Sequence, residues 1–262
     1  MGMLENCKDK CEQTVSKKEI DQLFEEPYAT IMCYPRYVKK ELERRLRELE
    51  KLEITELEFV GQKQLLNTHI LGKGCVGLVV LAYGKAGKVA LKIRRIDADR
   101  ASMLREARLL RKANTVQVGP QLLGATRNFL AMQFIEGTLL PQWLEKRIGK
   151  TQLKTVLRDL LEQCWRLDKV RLDHGELSHA PKHIVIDRKD RAVIVDFETS
   201  SAKRKPSNVT SISQFLFMSE ISPTIKGELG IKDTENIVDS LRVYKHDMNR
   251  ENFLQVLKSC GL

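Results

Sequence analysis

The sequence predicts an α+β fold in two lobes, the first rich in strands and the second mainly helical. Three observations carry that reading. Short Val-, Leu- and Ile-rich runs broken by glycines fill the stretch from Gln64 to Phe134. An apolar stripe at Leu153, Val156, Leu157, Leu160, Leu161, Cys164 and Leu167 repeats with a helical period. One β-hairpin interrupts the helical half, with arms Ile184–Ile186 and Ala192–Val195 around the polar turn Asp187–Arg191. At 262 residues the chain has room for one two-lobed domain or two small ones.

Taken in order, residues 1–20 are polar and are expected to fray. From Pro35 the pattern changes: Val38, Leu42, Leu46, Leu49 and Leu52 recur at steps of three and four. Glu41–Arg45 and Glu43–Arg47 fall on the polar side, so 36–52 reads as one amphipathic helix. Its apolar face suits packing on the domain that follows, and a partner-binding helix would look the same. Strands are expected at Gln64–Leu71, Leu78–Tyr83 and Lys88–Ile93, a helix over Ala101–Lys112, and strands again at Gln121–Gly124 and Leu130–Phe134. After the stripe and the hairpin come helical segments at Ser211–Phe217, Glu235–Tyr244 and Arg250–Lys258.

Composition narrows the class. With 42% hydrophobic and 31% charged residues, the chain can build a core. No apolar run approaches the roughly 18–20 residues a membrane span needs, so no membrane partner is expected. The N-terminus lacks the apolar segment of a secretory signal. The six cysteines suggest reduced thiols and a cytoplasmic protein rather than a disulfide framework. Cys7 and Cys11 have CxxxC spacing but no second pair to complete a metal site. A net charge of +10 favours acidic partners such as nucleotide, RNA or a ribonucleoprotein.

The first chemical signal is the run from Gly72 to Val79, with glycines at 72, 74 and 77. Glycines at this spacing let backbone N–H groups approach phosphate oxygens. A dinucleotide-binding loop would open a helix, whereas here Leu78-Val79-Val80-Leu81 continues as a strand. Fifteen residues after Gly77, Lys92 lies among the apolar residues Val89-Ala90-Leu91, where an ammonium needs an anion. Glu106, on the next helix, can pair with Lys92, or it is a solvated helix charge.

At this point the chain resembles the protein-kinase superfamily. Gly72–Val79 looks like its Gly-rich loop, Lys92 like the VAIK lysine and Glu106 like the helix-C glutamate. The resemblance implies a nucleotide site of Gly72, Gly74, Gly77, Val79, Ala90, Lys92 and Glu106, with Met132 as gatekeeper and Gln133 and Ile135 in the adenine-reading hinge. Downstream, His174-Gly175-Glu176-Leu177-Ser178 resembles the catalytic loop of RIO kinases and of the KEOPS-complex kinase, and Val195-Asp196-Phe197-Glu198 resembles the DFG element. The combination is also similar to a group of archaeal-type predicted serine/threonine kinases. By this resemblance the fold is a two-lobed protein-kinase-like one: an N-terminal helical extension at 1–57, an N-lobe at 58–135 and a reduced C-lobe at 136–262. Its cofactors would be ATP and Mg²⁺, or Mn²⁺, with Glu176, Lys92 and Asp196 catalytic and Asp196 holding metal.

Three departures from the pattern bear on activity. Glu176 replaces the usual aspartate, and the extra methylene moves the carboxylate by about 1.5 Å, a scale at which misplacement can reduce rate about a hundredfold. The metal-ligating asparagine is absent: Pro181 stands at its position, and allowing a two-residue insertion puts His183 there. His183 is then either a metal ligand, better suited to Mn²⁺, or a hydrogen-bonding loop residue. Glu198 replaces the DFG glycine and either adds a ligand or pairs with a basic residue. The short stretch after Glu198 has no APE-like motif, and Lys203-Arg204-Lys205 is a basic cluster that can bind an acidic partner or lie solvated. Ser207 or Asn208 is expected to cap the next helix. The implied function is ATP-dependent phosphotransfer to a serine or threonine of another protein or of the chain itself. The alternative is an ATP-binding pseudokinase or slow ATPase acting as a switch in a protein or ribonucleoprotein complex.

Overall fold

The computed structural model describes residues 16–146 and 148–262. The polar stretch through Val15, with Cys7 and Cys11, lies outside them. The chain divides into two compact units, Met1–Ala101 and Ser102–Leu262.

The first unit begins with β1 (Ser16–Glu19), a 3₁₀ turn (Ile20–Phe24), α1 (Tyr28–Met32) and α2 (Lys39–Lys51). It continues through β2 (Ile54–Phe59), β3 (Lys63–Leu65), β4 (Thr68–Ile70), β5 (Gly72–Lys73), β6 (Gly77–Gly84) and β7 (Gly87–Arg94). Strands β1, β2, β6 and β7 lie antiparallel in that order, and β5 also pairs with β6. The expected strand Gln64–Leu71 is instead a separate hairpin, β3–β4. Leu66 and Asn67 turn it with φ of 50° and 61°, a left-handed pair that folds the segment back on itself.

Helix α2 forms where its stripe predicts, and Leu42, Leu46 and Leu49 are buried. Arg45 departs from expectation: its side chain is fully buried rather than on the polar face. It sits one step along the stripe from Leu42, and its charge is satisfied there. Nε donates to Glu41 at 2.8 Å, while Nη1 donates to the carbonyls of Met32 and, at 2.7 Å, Arg94. Burial with these partners lets a charged residue fix α2 against the end of β7.

The second unit runs α3 (Leu104–Asn114), β8 (Leu122–Ala125), β9 (Phe129–Gln133), β10 (Gly137–Leu139), α4 (Leu140–Leu144) and α5 (Lys150–Lys169). Then follow β11 (Ile184–Asp187), β12 (Ala192–Ile194), α6 (Asn208–Met218), α7 (Ser222–Leu229), α8 (Glu235–His246) and α9 (Arg250–Ser259). β8 and β9 pair antiparallel, and β10 joins the β11–β12 hairpin as a third strand. Every residue of the α5 stripe is buried in one apolar cluster. The same cluster takes Leu177 from the loop before the hairpin, Ile184, Ile186, Ala192 and Ile194 from the hairpin, and Phe197 beyond it. Polar site residues are thus carried on segments whose alternate side chains are anchored in the core.

Helix α7 was not expected, since only Ile225 and Leu229 mark its apolar face, too few for a periodic signal. Helix α6 starts at Asn208 with Ser207 in the capping position, yet no Ser207 side-chain cap bond forms. Its first amides donate instead to Asp168 of α5: Asn208 N at 2.9 Å and Val209 N at 3.2 Å. No described helix is long and apolar enough to cross a membrane.

Candidate active site

In the first unit the glycine loop is a tight hairpin. Gly72 faces Val79 and Lys73 faces Leu78, and Gly74 N donates to Gly77 O at 2.8 Å to close the turn. Val79 is in turn paired with Lys92 across β6 and β7. Lys92 is only 4% exposed, and its aliphatic stem runs against Gly77. A Cβ at Gly77 would stand 2.9 Å from Ile93 O and 3.0 Å from Lys92 Cγ, so glycine is what lets the lysine lie along the loop. Ala90, two residues back on β7, is buried on the same face.

In the second unit residues of the catalytic-loop-like and DFG-like motifs converge. Glu176, His183 and Asp196 each present a ligand atom within 4.8 Å of the others. His183 lies between the carboxylates, with Nε2 2.7 Å from Glu176 Oε2 and Nδ1 3.9 Å from Asp196 Oδ2. Its ring is buried and its backbone is fixed, N donating to Ala180 O at 3.1 Å and O accepting from Val195 N at 2.9 Å. Asp196 has a φ of 67°, a left-handed conformation that a non-glycine residue keeps only when its surroundings impose it. Two carboxylates and an imidazole at this spacing suit a divalent cation, the oxygens fitting Mg²⁺ and the imidazole shifting preference toward Mn²⁺.

The loop beneath this cluster is pinned by side chains from distant positions. His174 N donates to Asn208 Oδ1 at 2.8 Å. The His174 carbonyl accepts from Thr199 Oγ1 at 3.0 Å and Ser200 Oγ at 3.2 Å. Asp173 exchanges backbone hydrogen bonds with Ser201, at 2.9 and 2.8 Å. Its carboxylate accepts from Arg204 Nε at 2.8 Å and Ser207 N at 3.2 Å. Gly175 has a φ of +93°, and a Cβ there would collide with the Arg204 guanidinium. Asn208 itself is held by Asp168, whose carboxylate also takes a 2.9 Å bond from Tyr244 Oη. Burial pushes the Asp168 carboxyl up, against these donors.

His174 completes the support. Nε2 lies 3.1 Å from Val195 O and so carries the proton it donates there. Its ring packs edge-on against Phe197 and His183, with centres 5.1 and 5.7 Å apart. Burial, followed by the neighbouring His183, pushes the His174 imidazole down to about 4. A neutral ring can sit beside a cation site without repelling the ion.

The remaining expected residues fall as follows. Glu106 is 4% exposed on α3, so it is not a solvated surface charge. Next to it, Arg105 donates to the carbonyls of Glu198 at 3.4 Å and Ser200 at 3.0 Å, tying α3 to the segment after Asp196. Met132 is half-buried at the end of β9, Gln133 is exposed and Ile135 half-buried. A cavity of about 440 Å³ in this unit is lined by Gln133, Ile135, Asp159, Gln163 and Arg166, but none of Glu176, His183 and Asp196 reaches it. His179 and Lys182 are exposed. In the basic cluster, Arg204 is committed to Asp173 and Thr199 O, and Lys205 to Lys245 O. Asp168 and Asp173 belong to no motif in the sequence; His174 lies in the catalytic-loop-like motif and Asn208 is a candidate helix cap, but neither position signals the supporting role that the fold gives it. No local pattern marks these roles, because Asp168 meets Asn208 40 residues and Tyr244 76 residues along the chain.

A RIO domain matches residues 84–214, half of the sequence, spanning the end of the glycine-loop strand through to α6. The chain belongs to the RIO-domain family. That places it among the atypical protein kinases, an ATP-binding family. It is also similar to the uncharacterized protein MJ1211 of Methanocaldococcus jannaschii, with 30% identity over 117 residues, which is 44% of this chain and 98% of that protein.

Proposed function

We propose that this RIO-domain protein is an ATP-dependent phosphotransferase, an atypical serine/threonine protein kinase acting on other proteins or on itself. The observation that carries the reading is the convergence of Glu176, His183 and Asp196. In this reading residues 58–135 form the nucleotide-binding lobe and 136–262 the reduced acceptor lobe, after an extension at 1–57.

Gly72, Gly74 and Gly77 offer backbone amides to the phosphates, Val79 and Ala90 flank the base, and Lys92 neutralises phosphate charge. Glu106 is the acidic member of the nucleotide set, and Met132, Gln133 and Ile135 read the adenine edge. Asp196 and His183 would hold the metal, Mg²⁺ or Mn²⁺. When bound, it supplies positive charge against the phosphoryl oxygens. Glu176 accepts the hydrogen bond of the attacking hydroxyl and takes up its proton. Phosphoryl transfer asks mainly for position and charge, which this small set provides.

One observation favours a second reading, an ATP-binding switch or slow ATPase in a cytoplasmic protein or ribonucleoprotein complex. Glu176 already contacts His183 at 2.7 Å, so its carboxylate is partly engaged before any hydroxyl arrives. Transfer of radiolabelled γ-phosphate, with Mg²⁺ or Mn²⁺, separates the two. Label on protein that disappears in both Asp196→Ala and Lys92→Ala supports the kinase. Label released only as inorganic phosphate supports the slow ATPase. Nucleotide binding without any phosphate movement, with either metal, leaves the binding switch.

A further inference from the structure

We propose that Tyr34, which lies outside every motif of the nucleotide site, is a positioning residue that holds the glycine loop ready for nucleotide. The claim rests on the ATP-binding reading above and adds a residue to it from the segment joining α1 to α2.

Tyr34 engages the loop directly. Its hydroxyl accepts a hydrogen bond from Lys73 Nζ at 2.7 Å, and the same ammonium stands 4.6 Å from the centre of its ring. Lys73 is the last residue of β5, immediately before the turn Gly74–Gly77. A second cation, the Arg95 guanidinium, lies 5.1 Å from the same ring centre. Tyr34 O also accepts from Ile96 N at 2.9 Å, so its backbone is joined to the segment that carries Arg95.

Arg95 grips the other side of the loop. Nη1 donates to Gly74 O at 3.2 Å, and its backbone N donates to Val76 O at 2.8 Å. Asp97 fixes the guanidinium plane with two bonds, 2.9 Å from Nε and 2.7 Å from Nη2. One aromatic ring is thus flanked by a loop lysine and by an arginine that holds the loop's backbone.

The loop needs such restraint. β5 is two residues long, and Gly74 and Cys75 are exposed. A glycine-rich turn is free to sample many conformations, and ordering it only when phosphate arrives would lower affinity. Holding Lys73 and the Gly74 carbonyl beforehand removes part of that cost. Once bound, phosphates order the loop by themselves, so the restraint acts on nucleotide affinity more than on turnover.

The test compares the full chain with Tyr34→Phe, which keeps the ring and loses the hydroxyl, and Tyr34→Ala, which loses both. Two quantities are read: the Kd for Mg²⁺–ATP by calorimetry, and the rate of Cys75 alkylation without nucleotide, located by peptide mapping. Cys75 is exposed at the loop tip, whereas the other described cysteines, Cys33, Cys164 and Cys260, are buried. We expect affinity to fall about threefold in Tyr34→Phe and about tenfold in Tyr34→Ala, from loss of the hydroxyl contact and then the ring. kcat should stay within about twofold, and Cys75 should react faster in the same order. Tyr34→Phe guards against misfolding, since its unfolding midpoint should match the native chain. Unchanged Kd and thiol reactivity in both variants, beside a native chain that binds nucleotide, would overturn the proposal alone. A native chain that binds no nucleotide would overturn the ATP-binding reading, and the positioning role with it.

Discussion

The glycine loop and the loop that resembles a catalytic loop are both turns of the proposed site, yet they are built differently. The glycine loop is closed by its own neighbours, a two-residue strand, one hydrogen bond and a lysine stem passing a glycine, and is held at its rim by Tyr34 on Lys73 and Arg95 on the Gly74 carbonyl. The other loop is shaped by side chains from elsewhere, with Asn208, Thr199 and Ser200 bound to His174, and Arg204 to Asp173. The difference follows from what each must do. In the proposed reading a phosphate cradle presents backbone amides and must leave them open, so its support lies at its edges, in the flanking strands and in Tyr34 and Arg95 at the rim. A cluster of carboxylates and imidazole concentrates charge, so its backbone is fixed by several hydrogen-bonding partners, the buried Asn208 and Ser200 among them.

If that contrast is right, damage to the two loops should register in different measurements. The largest effect is expected from Asp168→Ala, which leaves the amides of Asn208 and Val209, the Asn208 side chain and Tyr244 without their acceptor. It should lower stability by about 3–5 kcal/mol in urea unfolding. Asn208→Ala removes the acceptor for His174 N and should lower stability by about 2–3 kcal/mol, with loss of any transfer activity. Gly77→Val should behave differently: nucleotide affinity falls at least about tenfold, while stability changes by only about 1–2 kcal/mol. Equal stability losses in Gly77→Val and Asp168→Ala would break the comparison. Tyr244→Phe removes a single donor from Asp168 and should lower stability by about 1 kcal/mol.

The smallest expected effect concerns the hairpin turn. Burial would raise the Asp187 carboxyl, but the Arg191 amide and side chain, with the Lys189 amide, outweigh it and hold it below the usual carboxylate range. A depressed carboxyl contributes stability above its unfolded pKa, and that contribution is lost as pH falls through it toward the lower folded value. Asp187→Asn should therefore flatten the stability profile below about pH 4, by about 1 kcal/mol or less given the exposure of Arg191. An unchanged acid limb would sink that assignment.

Much of the fold could be read from periodicity, because burial repeats along the chain. The α5 stripe, the β11–β12 hairpin, α2 and strands β6 and β7 followed from it, whereas β1, α1 and β2 did not: β1 forms within residues 1–20, whose polar composition predicts fraying, because its backbone pairs with β2. What escaped was set by pairings remote in sequence or by unusual turns. Leu66-Asn67 lacks the glycine that signals a tight hairpin, so β3 and β4 read as one strand. Arg45 looked polar because its carbonyl partners, Met32 and Arg94, are brought to it only by the fold. In the site, Glu176 and Asp196 were legible through the resemblance of their motifs to kinase ones, and His183 only as one of two alternatives for the missing asparagine. The roles of Asp168 and Asn208 were not, since a buried carboxylate that caps a helix 40 residues away has no local pattern. The cap expected from Ser207 or Asn208 comes instead from Asp168 on another helix.

Strand β1 has a practical consequence of its own. It pairs along its whole length with β2, from Ser16 opposite Phe59 to Glu19 opposite Glu56, and it is short and carries Lys17 and Lys18. Short, lysine-bearing outer strands discourage one molecule from adding to another through unsatisfied backbone groups. Trimming the chain back to the start of α1 would uncover the ITELEF strand, whose amides and carbonyls would then be open to a second copy. Such a shortened protein should keep its folded units yet form aggregates that grow with concentration, so loss of activity on truncation would reflect self-association rather than a missing functional group.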